Sequence, residues 1–174
     1  MLAGQTLLEL HVADADVDAF AWLFERLATA GITFATLREL QTADPCWLER
    51  FVFLDNETRS ATGHPDVPRS VAAMRARLAE LELDPEACFV AREGDLWIGY
   101  TVLDTAHSCA ARLRQSWTGV LATHRRRGIG TALKILTVGY ARRHGYALIY
   151  TATRANNVAS QAMSLRVGFR PPAG

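Results

Sequence analysis

Residues 118–136, TGVLATHRRRGIGTALKIL, decide how this chain is read. They set three consecutive arginines and two glycines between an apolar segment at about 113–122, which reads as a strand, and a segment with Ile129, Leu133, Leu136 and Tyr140 at helical spacing. Main-chain N–H groups at a helix start have no intrahelical partner. Backed by the helix dipole they attract phosphate, and glycines let the chain come close to it. The string is not a Walker loop, because no Gly-Lys-Ser/Thr follows. Nor is it a dinucleotide fingerprint, since Leu133 stands at the last glycine position and no acid follows to hold a ribose.

The charge distribution points to the same place. All 18 acidic residues lie within positions 1–104, which carry 8 arginines and a formal charge of −10; positions 105–174 hold 11 basic residues and no acid. The C-terminal portion is therefore predicted to meet an anion, and any catalytic carboxylate must come from the first 104 residues. The two portions are also expected to neutralise one another in part across an internal interface.

The 174 residues, 49% hydrophobic and 21% charged, are enough to bury a core without metal or disulfide support. No apolar run reaches the roughly 18 residues of a membrane span. The opening MLAGQTLLELHVADAD has no basic leader, so a cytoplasmic location is expected. Cys46, Cys88 and Cys109 match neither a paired framework nor metal spacing, and the five histidines form no H-x-x-x-H pair, so no metal is expected. Asp14, Asp16 and Asp18 imitate a calcium loop, but Ala19 stands where that loop needs glycine; an acidic helix start explains them.

Outward from the motif, strands are predicted at 6–12, 32–40, 87–92, 96–104 and 148–153, with Glu93-Gly94-Asp95 as a tight turn. Helices are predicted after Asp18 as far as Gly31, from Asp44-Pro45 to about Asn56, after a capping Ser70, and over 157–166. The stretch 57–70 reads as a loop.

Arg125 to Gly130 match the Q/R-x-x-G-x-G/A signature of the GNAT superfamily of acyl-CoA-dependent N-acetyltransferases. TATRANNVASQAMSLRVGF resembles that family's N-x-x-A segment, short helix and Gly-Phe. GITFATLREL and the late Gly-Phe-Arg-Pro look most like the C-terminal half of tandem-GNAT proteins. The resemblance implies an α/β fold with a GNAT-type mixed central sheet flanked by helices: a strand and linking helix in 1–31, then a GNAT-like domain in 32–174.

It also implies acetyl-CoA as co-substrate. Thr118, Gly119 and Val120 would present strand edge to the pantetheine arm, with the Val120 amide toward the thioester carbonyl. The amides of Arg125, Arg126, Arg127, Gly128, Ile129 and Gly130 would hold the pyrophosphate, and Asn157 would contact the cofactor further along. Ser164 stands where the family often has a tyrosine acid, and Arg114 and Gln115 where it often has a glutamate. Asp104, His107, Asp55 and Glu57 are the remaining candidates for moving a proton.

The implied reaction is acetyl transfer to a small primary amine, and the acidic first portion suggests a cationic acceptor such as a polyamine or aminoglycoside. A CoA-binding module with little transfer is the alternative. A nucleic-acid-binding domain is disfavoured, because the basic residues are not interleaved with exposed aromatics. Residues 170–174 are too short and proline-rich for a closing strand, so the strand at 6–12 is expected to pair at the C-terminal side of the sheet. Pairing within a partner copy instead of its own chain would make a homodimer.

Overall fold

The computed structural model describes residues 4–60, 67–80, 83–104 and 111–172. Six strands, β1 (Gln5–His11), β2 (Ile32–Thr36), β3 (Cys88–Glu93), β4 (Leu96–Asp104), β5 (Arg112–Val120) and β6 (Leu148–Arg154), form one mixed sheet in the order β1-β6-β5-β4-β3-β2. The helices are α1 (Ala21–Thr29), α2 (Leu37–Ala43), α3 (Trp47–Ser60), α4 (Val71–Glu80), α5 (Ile129–Arg143) and α6 (Val158–Val167). This is the mixed α/β architecture expected.

Side-chain alternation along the strands divides the core between the two faces. On β4, Leu103 joins Leu23, Leu27, Ile129, Leu133 and Phe169 in the core beneath α1, α5 and α6. Tyr100 and Val102 face the other way and pack with Phe51, Leu54 and Met74 beneath α3 and α4. The sheet is thus covered on both sides, and only its two ends and any break between strands are left to receive a ligand.

β1 pairs antiparallel with β6 within its own chain, from Gln5 opposite Arg154 to His11 opposite Leu148. Its inward residues Leu8 and Leu10, and Val12 just beyond, are buried. On its outer edge Glu9 and Arg170 exchange two main-chain hydrogen bonds of 2.8 Å. The N-terminal strand thus pairs at the C-terminal side of the sheet, within its own chain.

Two predicted boundaries move. The strand expected through residue 40 stops at Thr36, whose hydroxyl accepts from the Glu39 amide (3.2 Å) while Glu39 accepts from the Thr36 amide (2.7 Å). That reciprocal capping box starts α2. Helix α3 continues to Ser60, so the first residues of the expected 57–70 loop are helical; residues 61–66 lie outside the described part. Ser70 does accept from the Ala73 amide at 3.1 Å, capping α4.

Candidate active site

β5 and β6 run parallel only through Arg112–Leu148, Leu113–Ile149 and Arg114–Tyr150. Past that point the Thr151 hydroxyl reaches the Gln115 carbonyl at 3.1 Å, and the two strands diverge toward their C-terminal ends. On its other side β5 stays paired with β4. The Leu121 amide bonds to the Ile98 carbonyl at 2.9 Å, and Gly119 and Trp117 lie opposite Tyr100 and Val102. Hydrogen-bonded pairs alternate along an antiparallel ladder, so Leu121, Gly119 and Trp117 direct their main chain to β4. Thr118 and Val120 direct theirs into the gap.

This corrects the expectation for Gly119, whose polar groups are occupied by β4. Its lack of a side chain serves packing instead. A Cβ there would lie 2.8 Å from Thr58 Cβ and 2.6 Å from Trp117 Nε1, so glycine lets α3 close onto β5. Opposite the next stretch the register shifts from Val102–Trp117 to Leu103–Gln115, leaving Ser116 as a bulge.

At the open end of the gap the chain turns through residues 125–130 into α5. Arg126 has φ +65° and Gly128 φ +91°, both left-handed, the kind of turn that points successive N–H groups into a concavity. Gly128 is the N-cap of α5 and offers no side-chain acceptor; the helix ladder begins with the Ala132 amide on the Gly128 carbonyl at 3.0 Å. The amides of Ile129, Gly130 and Thr131 therefore precede the ladder.

The arginine side chains act around this cradle rather than in it. Arg125 Nε donates to the Val120 carbonyl at 3.2 Å. Arg127 donates to Glu93 at 2.9 Å, and His124 Nε2 lies 3.2 Å from the same carboxylate. Hydrogen bonds from Arg127 and then His124 hold the Glu93 carboxyl below its usual range. This is one place where the acidic and basic portions of the chain neutralise each other; Arg112 with Glu9 at 2.6 Å is another. Gly130 is crowded: a Cβ would sit 2.6 Å from Met163 Sδ, so α6 presses against the start of α5 next to Val120.

The remaining predicted residues separate. Asn157 is the N-cap of α6, its Oδ1 accepting from the Ser160 amide at 3.1 Å. Ser164 is fully buried on α6, its hydroxyl without a hydrogen-bond partner among the described residues. Asp104 is buried opposite Arg114, whereas Val120 lies opposite Gly99. Six residues of β5 separate those positions, about 20 Å at ~3.3 Å per residue, so Asp104 and the 125–130 turn are not brought together. His107 and Cys109 lie outside the described residues. Glu57 is exposed on α3.

Asp55 sits in a cluster that sequence reading did not assemble. It is 2% exposed and accepts from Arg59 Nε (2.7 Å), Arg69 Nη1 (2.5 Å) and the Tyr100 hydroxyl. Burial pushes its carboxyl up, but the hydrogen bonds from Tyr100 and Arg59 and the charges of Arg59 and Arg69 outweigh burial and hold it below the usual carboxylate range. A carboxylate so engaged is a poor proton acceptor. Burial, with the Asp55 charge next, raises the Tyr100 phenol well above its ordinary value. The Arg59 guanidinium lies 4.2 Å above the Trp117 ring. The Asp55–Arg59 spacing of four on one helix was the only local sign of this cluster.

Gln115 and Lys134 form a second buried polar group on the opposite face. Lys134 Nζ donates to Gln115 Oε1 at 2.5 Å and lies 4.9 Å from the Phe169 ring centroid. Gln115 Nε2 donates to Thr101 at 3.0 Å. Burial pulls the Lys134 pKa down to about 7.

Among the described residues no three His, Cys, Asp or Glu side chains gather as metal ligands, and no helix is long and apolar enough to cross a membrane.

A sequence model described as the acetyltransferase (GNAT) family matches residues 40–169. No curated protein matches the chain. Among solved structures, a GCN5-related N-acetyltransferase from Sphaerobacter thermophilus shares 16% identity at a TM-score of 0.69, over 97% of this chain and 48% of that one. A tandem GNAT protein from the clavulanic acid biosynthesis pathway shares 20% at 0.65, over 96% and 50%. A Salmonella typhimurium protein solved with its cofactor acetyl-CoA shares 19% at 0.63, over 82% of each chain. The chain thus spans about half the length of the first two.

Proposed function

Because the chain belongs to the GNAT acetyltransferase family, we propose that it transfers the acetyl group of acetyl-CoA to a primary amine. The observation that carries this reading is the alignment of two features on one strand and its exit. Thr118 and Val120 turn their main-chain groups into the gap between β5 and β6, and the left-handed turn at Arg126 and Gly128 follows at the mouth of that gap. A strand edge suits an extended amide-bearing arm, and a cradle of N–H groups at a helix start suits a pyrophosphate. The residues present fit the cofactor.

Acetyl-CoA supplies an activated thioester. In this reading residues 125–130 hold the pyrophosphate through main-chain amides, and the arginine side chains steer the polyanion. The amides of Val120 and, one pair deeper in the gap, Thr118 align the arm and donate to the acyl oxygen. A donor of that kind is worth roughly 2.7–4 kcal/mol in other oxyanion holes. Ser164 is too weak an acid to replace a tyrosine; we assign its unpartnered hydroxyl a positioning role. Asp104 is too far from the gap's mouth to act there, and Asp55 is held by its arginines, so in this reading the acceptor's proton goes to Glu57, exposed on α3, or to solvent-connected water. A cytoplasmic setting accords with this chemistry.

The engagement of Asp55 and the distance of Asp104 support a second reading, a module that binds CoA with little transfer. Calorimetric titration with acetyl-CoA, followed by a panel of amines with free-thiol detection, tests both. Binding with thiol release supports the transferase, binding without release the module, and absence of binding at millimolar cofactor overturns both.

A further inference from the structure

On the α3 side of the bulge lies a cavity of about 40 Å³, the scale of one or two waters or of a carboxylate group. Ser116, the bulged residue, and Trp117 border it from β5, next to Thr118, whose main chain faces the proposed acyl site. Asp55, Arg59 and Arg77 contribute the charges on its wall, and Arg69 stands behind Asp55. Among the described residues the cavity wall carries Arg59 and Arg77 with Asp55, and that carboxylate is already shared by Arg59 and Arg69.

Arg77 reaches the cavity from α4, and among the described residues no carboxylate pairs with it. Burial and then the charges of Arg69 and Arg59 disfavour its protonated form, yet a guanidinium stays charged at neutral pH. A half-buried cation facing its own kind is a cost that an incoming anion removes. Among the described residues Asp55 is the one acidic side chain lining this cavity, and its carboxylate is engaged by Arg59 and Arg69.

We infer that this cavity seats a carboxylate of the acceptor, clamped by Arg77 and Arg59, so that the substrate is an amine that also carries a carboxylate. The inference rests on the acetyl-transfer reading for its amine, and on the cavity alone for its carboxylate. The Asp55–Arg69 pair then has a mechanical part: it fixes Arg59 against the Trp117 ring and leaves Arg77 to meet the ligand.

The test uses the full chain and three matched probe pairs: γ-aminobutyrate, phenylalanine and methionine, each against its carboxamide. In wild type the carboxylates should exceed the carboxamides by roughly tenfold or more in kcat/KM, the scale of one charge-assisted hydrogen bond. Arg77→Met should bring that ratio toward one, and Arg77→Lys should restore part of it, while acetyl-CoA affinity by calorimetry stays the same. Independently of turnover, the preferred carboxylate should raise the melting temperature of wild type and not of Arg77→Met. Preference for the carboxamides, or a ratio and a melting shift that survive in folded Arg77→Met, would overturn the inference. Failure of acetyl-CoA to bind would overturn the transferase reading alone, because the melting arm still decides whether the cavity takes a carboxylate.

Discussion

Arg26 of α1 donates to the main-chain carbonyl of Arg127 at 2.8 Å, across 101 residues of sequence. The same guanidinium lies over the Trp22 ring at 5.2 Å and 3.0 Å from where a Cβ on Gly128 would stand. The segment before residue 32, which reads as a separate strand and linker, is therefore one wall of the 125–130 turn. Arg26→Ala should weaken acetyl-CoA binding several-fold and lower stability by about 1 kcal/mol or less, since the bond is exposed. Calorimetry and urea unfolding on one preparation check it; unchanged affinity would show that the turn holds its shape without α1.

Within the turn, backbone conformation separates two neighbouring positions. Gly128→Glu should abolish cofactor binding, because φ is +91°, the new Cβ would meet Leu23 Cδ1 at 2.7 Å, and a negative charge would enter the cradle. Arg126→Ala leaves the amides in place and should cost little affinity. Arg126→Gly should add up to about 1 kcal/mol of stability by relieving a left-handed arginine. Equal losses of binding in Gly128→Glu and Arg126→Ala would mean that side chains, not amides, hold the anion.

Asp55→Asn should cost about 3–5 kcal/mol, the usual scale for removing one member of a buried ionic cluster, because Arg59 and Arg69 lose a shared charged acceptor. The effect depends on pH in a definite sense. The folded carboxyl titrates below its unfolded value near 3.9, so its contribution is complete above that value and is lost as pH falls through the folded one. Unfolding midpoints of wild type and variant should differ fully at pH 6 and converge in strong acid; a constant gap would count against an ionised Asp55.

Lys134 has the opposite sign. Its pKa falls from 10.5 to about 7 in the folded chain, so between those values the unfolded state binds a proton that the folded state does not. Stability should therefore rise with pH across that window. Lys134→Met keeps the volume, removes the charge, and should be more stable than wild type near pH 7 with the slope gone. Denaturant titrations at pH 7, 8.5 and 10 decide it, and a variant less stable at every pH would show that the Gln115 bond outweighs the cost of burial.

The turn before α5 was legible because its residues are contiguous: arginines, glycines and a helix start within six residues. The N-terminal strand was legible from what followed Phe169, where prolines exclude a strand. The end of β2 was missed although the T-x-x-E of its capping box was in view, because alternation through Leu40 outweighed it. The Asp55 cluster was out of reach. Its members come from α3, the segment before α4, and β4, and nothing in a one-dimensional pattern brings Tyr100 to a carboxylate 45 residues earlier. The burial of Lys134 was equally out of reach. The residue is 2% exposed because α5 is covered on several sides, which no single apolar stripe announces.

The union of β1 with β6 also governs when this protein can become itself. Every residue of β1 pairs with one roughly 140 positions later in the sequence. Until they pair, an apolar segment carrying Leu8 and Leu10 is exposed, with unsatisfied edges on both sides. Such distant closure makes for slow folding. It also ties this pairing to the gap beside β5, since β6 is at once the partner of β1 and the strand that diverges from β5. Docking β1 on β6 therefore also sets one wall of that gap, and in the proposed reading a cofactor bound there would stabilise the closed sheet as well as serve as substrate.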